Sequence, residues 1–138
     1  MSKDRAVAIC FAGDSVLVMR RYKDGRTYTV LPGGGVENGE LPAAAVVREL
    51  YEETSLTGVV SRHLTTIQHP DRTAHYFLVQ AQPGQLVVGG PESAQQSTEN
   101  SYQPCWLPLD ELQDEPLVPD EARAVIANAH ASVRRTPG

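Results

Sequence analysis

Residues 31–56 read LPGGGVENGELPAAAVVRELYEETSL, a run of three glycines leading into an acidic helix. From Leu41 to Thr54 the apolar positions recur at helical spacing. At about 100° per residue, Ala43, Val46, Val47, Leu50 and Thr54 share one side. Glu49, Glu52 and Glu53 lie on the other side at i, i+3 and i+4, where side chains can converge. Pro42 falls in the first turn, where its missing N–H costs nothing, and Glu37 and Glu40 stand near the positive end of the helix. Glycines let backbone approach a charged ligand, and clustered carboxylates attract a hard divalent cation. The pattern predicts a buried helix with an acidic working face, suited to metal-assisted chemistry on phosphates.

The flanking sequence supplies strands. Ala6–Phe11 and Val16–Arg20 are β-prone runs around a turn composition, Asp24-Gly25 signals a second hairpin, and Thr27–Leu31 is a third run that stops at Pro32. Beyond the helix, alternation returns from Thr57 to Gln68. His69-Pro70-Asp71-Arg72 is a turn composition, with Ala74–Gln82 as the returning strand. Leu86–Val88 adds a short strand, and residues 89–101 form a polar connection of functional length. Tyr102–Leu109 is strand-like around Trp106, Asp110 is placed to cap a short turn, and Pro119–Ser132 reads as a second helix with Pro119 at its first position. Strands joined mostly by hairpins, with two helices, predict an α+β layered domain whose mixed, largely antiparallel sheet lies between helices.

The 138 residues fit one domain with one core, read as spanning 1–138. Composition is that of an ordinary soluble protein, 41% hydrophobic and 21% charged. The net charge of -5 argues against gripping polymeric nucleic acid through its backbone, and leaves small anionic nucleotides open. Cys10 and Cys105 make neither a disulfide framework nor a zinc spacing. The N-terminus lacks a signal-peptide pattern and no run reaches membrane-spanning length, so the expected setting is cytoplasmic, without membrane contact.

With spacing kept, the opening stretch is Gly34, five residues, Glu40, seven residues, Arg48-Glu49-Leu50, one residue, Glu52-Glu53, one residue, Ser55 and Leu56. This resembles the Nudix box of the MutT-like hydrolases at every fixed position except the last glycine, which is Ser55 here. So many glycine and charged positions at fixed offsets should coincide by chance in fewer than about one chain in ten thousand. Leu31-Pro32-Gly33-Gly34 and the segment YQPCWLPLDEL (Tyr102–Leu112) are also similar to members of that family. The resemblance implies an α/β/α sandwich and a divalent-metal-dependent hydrolase. Its substrate would be a nucleoside diphosphate linked to another moiety: a nucleoside triphosphate, a nucleotide sugar such as ADP-ribose, or a dinucleotide polyphosphate. The rival reading is a non-catalytic nucleotide-sensing or protein-binding module on the same fold.

The resemblance implies Glu49, Glu52, Glu53 and the backbone carbonyl of Gly33 as ligands of Mg²⁺, with Mn²⁺ as the alternative ion. Arg48 belongs to the same catalytic set as a brace, paired with Glu37 or Glu40. Glu53 is the first choice for general base, with Glu92 and Glu99 as candidates outside the box. Arg72, between His69 and His75, and Glu99 are the substrate-binding candidates. Tyr102 and Trp106 could stack a base. A homodimer is left open. Serine in place of the box glycine should cost on the order of 1 kcal/mol if the helix still ends in a left-handed residue.

Overall fold

A computed structural model describes residues 3–81 and 100–135. The chain runs β1 (Lys3–Ile9), β2 (Phe11–Ala12), β3 (Ser15–Lys23), β4 (Arg26–Val30), β5 (Gly33–Gly35), α1 (Pro42–Thr54), β6 (Gly58–Gln68), β7 (Arg72–Ala81) and β8 (Asn100–Pro108). A 3₁₀ helix (Leu109–Asp114) and α2 (Ala122–Arg135) follow. The expected strand Leu86–Val88 and the carboxylates of Glu92 and Glu99 lie outside the described residues.

The strands form two four-stranded sheets. The first has the order β5-β1-β7-β6, with β1 and β7 parallel and the other pairs antiparallel. In the second, β3 pairs antiparallel with β2, β4 and β8. The β3–β4 hairpin turns at Asp24 (φ 52°) and Gly25 (φ 79°), both left-handed, as Asp-Gly hairpin chemistry requires.

Period-two alternation gives the strands two apolar faces, each covered by one helix. On one face Ala6, Ala8, Cys10, Leu17, Phe77 and Val79 meet Ala45, Val46 and Leu50 of α1. On the other, Ile9, Val16, Val18, Tyr76 and Leu107 meet Ala122, Ile126 and Ala129 of α2. Both sheets contribute to both clusters, so the layering is helix, sheet, helix, as the sequence predicts. Leu50 is fully buried, and truncating such a side chain to Ala costs about 2–5 kcal/mol. That burial fixes the opposite, acidic face of α1 relative to β1 and β5.

Two boundaries depart from the sequence reading. α2 starts at Ala122, not Pro119, because residues 119–121 turn on themselves. The Ala122 N–H donates to the Pro119 carbonyl, and the Asp120 carboxylate accepts from Arg123. Asp110 is not a cap: Pro108 holds that position, and Asp110 falls inside the first turn of the 3₁₀ helix. Proline cannot donate and leaves the preceding strand at its own residue, which displaces the start of the turn.

α1 ends as the spacing predicts, on Ser55 in the left-handed region (φ 67°, ψ 9°), its N–H donating to the Tyr51 carbonyl at 2.9 Å. Thr54 closes the same corner. Its hydroxyl donates to the Leu50 carbonyl at 2.7 Å and accepts from the Leu56 N–H at 3.1 Å. The box therefore keeps its helix-end geometry with serine in place of glycine.

Candidate active site

Arg48 sits at the centre of the acidic helix face. Its Nε and Nη2 donate to the two carboxylate oxygens of Glu40, each at 2.9 Å, a bidentate fork. Nη1 donates to Glu49 at 3.0 Å and reaches Glu52 at 3.5 Å; Nη2 also donates to the Gly35 carbonyl at 3.0 Å. Glu37 stands farther off, at 3.7 Å, and is mostly exposed. Of the two partners the sequence left open for Arg48, Glu40 is the principal one. The Glu40 carboxylate also accepts the Glu37 N–H at 3.0 Å, which ties the loop before α1 to the middle of the helix.

These contacts shift ionisation. The Arg48 hydrogen bonds, then the Glu37 N–H, hold the Glu40 carboxyl down at about 2. Hydrogen bonding to Glu40 in turn raises Arg48 above its ordinary value.

The glycines of β5 are required by close approach. A Cβ on Gly34 would lie 2.4 Å from the Glu49 carboxyl carbon, and one on Gly33 would lie 2.3 Å from the Ala6 carbonyl oxygen. Bare backbone at Gly34 thus leaves room for Glu49, and bare backbone at Gly33 lets β5 lie against β1. Glu53 completes the contact between helix and loop, accepting the Gly33 N–H at 2.9 Å.

The acids are therefore held at two points. Glu49 and Glu52 converge on one nitrogen of Arg48, while Glu53 is drawn to Gly33. Among the described residues, no three His, Cys, Asp or Glu side chains are gathered as an ion cage. The donor set is nonetheless all oxygen and anionic, the chemistry a hard divalent cation selects.

Beside the box lies a pocket of about 310 Å³. Of Arg48, Glu49, Glu52 and Glu53, Glu53 is the one that lines it, with Gly33. One wall carries Arg5 of β1 and Arg72 at the start of β7; the other carries Tyr28, Arg21 and Tyr102, which the strand register places side by side on β4, β3 and β8. The Arg21 guanidinium stacks over the Tyr102 ring at 5.1 Å. Val118 and Pro119, joined by a cis peptide, border the pocket below α2.

Among the substrate candidates, Arg72 and Tyr102 reach this pocket, and Glu99 lies outside the described residues. Trp106 does not: it packs against the α1 cluster, four residues farther along the same face of β8 than Tyr102, so position along the strand separates the two. His69 and His75 do not pair with each other. His69 lines the pocket and meets Glu121 at 3.6 Å, whereas His75 meets Asp4 at 3.2 Å. Arg5, Arg21 and Tyr28 were not singled out by sequence. Their signal is faint: Arg5 and Arg21 each alternate with an apolar residue, Val7 and Met19, that faces the same side of its strand.

A sequence profile of the NUDIX domain matches residues 1–128. The chain belongs to the Nudix family. Among curated relatives in the family, diphosphoinositol polyphosphate phosphohydrolase 2 of Mus musculus is 40% identical over 75 residues, covering 51% of this chain and 40% of that protein. The matched region therefore spans about two fifths of that relative's length. Among solved structures, a MutT from work on Aliivibrio salmonicida and Vibrio cholerae superposes with a TM-score of 0.74 at 22% identity, covering 93% of this chain and 99% of that one. An ADP-ribose pyrophosphatase from Streptococcus suis 89-1591 gives 0.70 at 21% identity, covering 100% and 96%. At these identities the structural likeness is one of fold. No helix among the described residues is long and apolar enough to cross a membrane.

Proposed function

We propose that the chain is a divalent-metal-dependent hydrolase of a phosphoanhydride bond, acting on a nucleoside diphosphate linked to a further group. The observation that carries this reading is the position of Glu53. It touches the glycine loop through the Gly33 N–H and at the same time lines the arginine-walled pocket. Acid box and substrate-sized cavity thus share one carboxylate.

Glu49, Glu52 and Glu53, with the Gly33 carbonyl, would hold Mg²⁺ or Mn²⁺. Bound there, the ion would neutralise phosphate oxygens and favour attack by water. The chain's own groups do the rest. Arg72 and Arg5 stand on the pocket wall as groups suited to a substrate phosphate through charge-assisted hydrogen bonds. Glu53 takes the proton from the attacking water, since it alone of the box acids faces the cavity. Arg48 is a brace: it holds Glu40, Glu49 and Glu52 in one array and contacts no substrate. Glu99 is a further substrate-binding candidate and lies beyond the described residues. The diphosphoinositol polyphosphate phosphohydrolase relative supports the phosphoanhydride part of this reading, and the free thiols Cys10 and Cys105 suit a reducing, cytoplasmic setting.

The test is release of phosphate or monophosphate with Mg²⁺ across nucleoside triphosphates, ADP-ribose, dinucleotide polyphosphates and a diphosphoinositol polyphosphate. At least one should turn over. Glu53→Gln should lower kcat by about 10²–10⁴-fold with unchanged thermal unfolding. Tight binding without turnover of any substrate would replace the enzyme by a sensing module, and full activity in Glu53→Gln would remove that residue from the mechanism.

A further inference from the structure

We propose that the wall formed by Arg5 and Arg72 is a second anion subsite, which receives a phosphate monoester carried by the substrate in addition to its scissile anhydride. This deepens the hydrolase reading and rests on the same pocket being the substrate site.

The two arginines belong to neighbouring parallel strands. Lys3 pairs with Arg72 and Arg5 with Ala74, so Arg5 and Arg72 stand two residues apart in register. Both line the cavity, roughly 8 Å apart at their origins by strand spacing, within reach of one tetrahedral anion for side chains as long as arginine. Both also lie near the buried Tyr76 ring. Burial and Glu121 push its phenol up, and Arg5 and Arg72 draw it back.

Charge accounting sets this wall apart from the box. In a protein with a net charge of -5, the cavity collects, among the described residues, Arg5, Arg21 and Arg72 against the carboxylate of Glu53. Glu53 is already on the Gly33 amide, and Glu121, which also acts on Tyr76, is on His69. Neither Arg5 nor Arg72 meets a carboxylate within salt-bridge distance among the described residues. Two like charges side by side, facing a concave space, repel each other and raise the local concentration of anions. Their planar forks match a phosphate's oxygens. The anhydride itself belongs at the box, next to Glu53. The Arg5–Arg72 wall is then charge in excess of what the cleaved bond needs, and a substrate with a further phosphate satisfies it.

The experiment uses two comparisons of phosphoanhydrides with and without phosphate monoesters: NADPH against NADH, and a diphosphoinositol polyphosphate against ADP-ribose. Affinities are measured by calorimetry on the full chain with the metal chelated, and turnover is measured separately with Mg²⁺. In at least one pair, the monoester-bearing member should bind at least about ten-fold tighter. Arg5→Gln and Arg72→Gln should each bring that ratio toward one, with the thermal unfolding temperature unchanged. Equal binding within both pairs, no binding of any probe, or a ratio that survives both substitutions would overturn the subsite. Preference with no turnover would leave the subsite standing and remove the hydrolase reading. Turnover without preference would do the reverse.

Discussion

Arg48 and the pair Arg5–Arg72 are the same residue type in two opposite electrostatic settings, one on α1 and the other on the wall of the pocket that Glu53 lines. Arg48 is about a quarter exposed and surrounded by Glu40, Glu49, Glu52 and, farther away, Glu37. Its five donors are largely spent on carboxylates and the Gly35 carbonyl. Arg5 and Arg72 face a cavity and, among the described residues, meet no carboxylate within salt-bridge distance. A compensated guanidinium stabilises the fold and is unavailable to a ligand, whereas an uncompensated one contributes little to folding and is ready for an anion. The contrast tells a scaffold arginine from a substrate arginine without reference to position in the chain.

Removing the scaffold arginine gives the largest expected effect. Arg48→Gln leaves three neighbouring carboxylates without their shared cation, and should lower the unfolding temperature by on the order of 5 °C or more and abolish most turnover together. Arg72→Gln should leave the unfolding temperature within about 2 °C of the parent. Similar melting for the two variants, followed by circular dichroism, would break the distinction.

The next effect sharpens it through pH. Glu40 is depressed from 4.5 to about 2 by Arg48 and the Glu37 N–H. A carboxyl whose folded value is lowered stabilises the protein above the unfolded value and loses that stabilisation as pH falls through the folded one. The parent should therefore lose stability between about pH 4.5 and 2 in part through this group, and Glu40→Gln should flatten that segment of the melting-temperature profile. An unchanged slope would mean that the bidentate contact is not maintained in solution.

The smallest effect lies at the end of α1. Ser55→Gly relieves a left-handed serine and should stabilise by up to about 1 kcal/mol in denaturant unfolding, with kcat unchanged, because it lies outside both arginine settings. A change in kcat would show that the helix end is coupled to the acids upstream.

The box was legible because its parts are local. Helical periodicity puts Glu49, Glu52 and Glu53 on one face, and the loop that meets them follows β4 directly. The fold class was equally legible from alternation, Asp24-Gly25 and two amphipathic helices. The pocket was not, because its walls come from register. Arg21, Tyr28 and Tyr102 become neighbours only once β3 has paired with β4 on one side and β8 on the other. Trp106 and Tyr102 share a face of β8 and read alike in sequence; only the placement of the strands shows that Tyr102 reaches the pocket and Trp106 the α1 cluster. The start of α2 differs from the sequence pattern for a local reason: Pro119 suits a helix's first turn, but here it closes a separate turn before Ala122.

The position of β1 has a consequence for how the site comes into being. It lies between β5 and β7, pairing with Gly33–Gly35 on one side and, about 70 positions along the chain, with Arg72–Leu78 on the other. Such non-local parallel pairing is slow to close. During synthesis β1 must wait, with one edge open, until β7 has left the ribosome. The acidic helix and its glycine loop can meet beforehand, but the two arginines of the pocket wall are brought together only by the later β1–β7 pairing. The chain therefore assembles its brace before its grip.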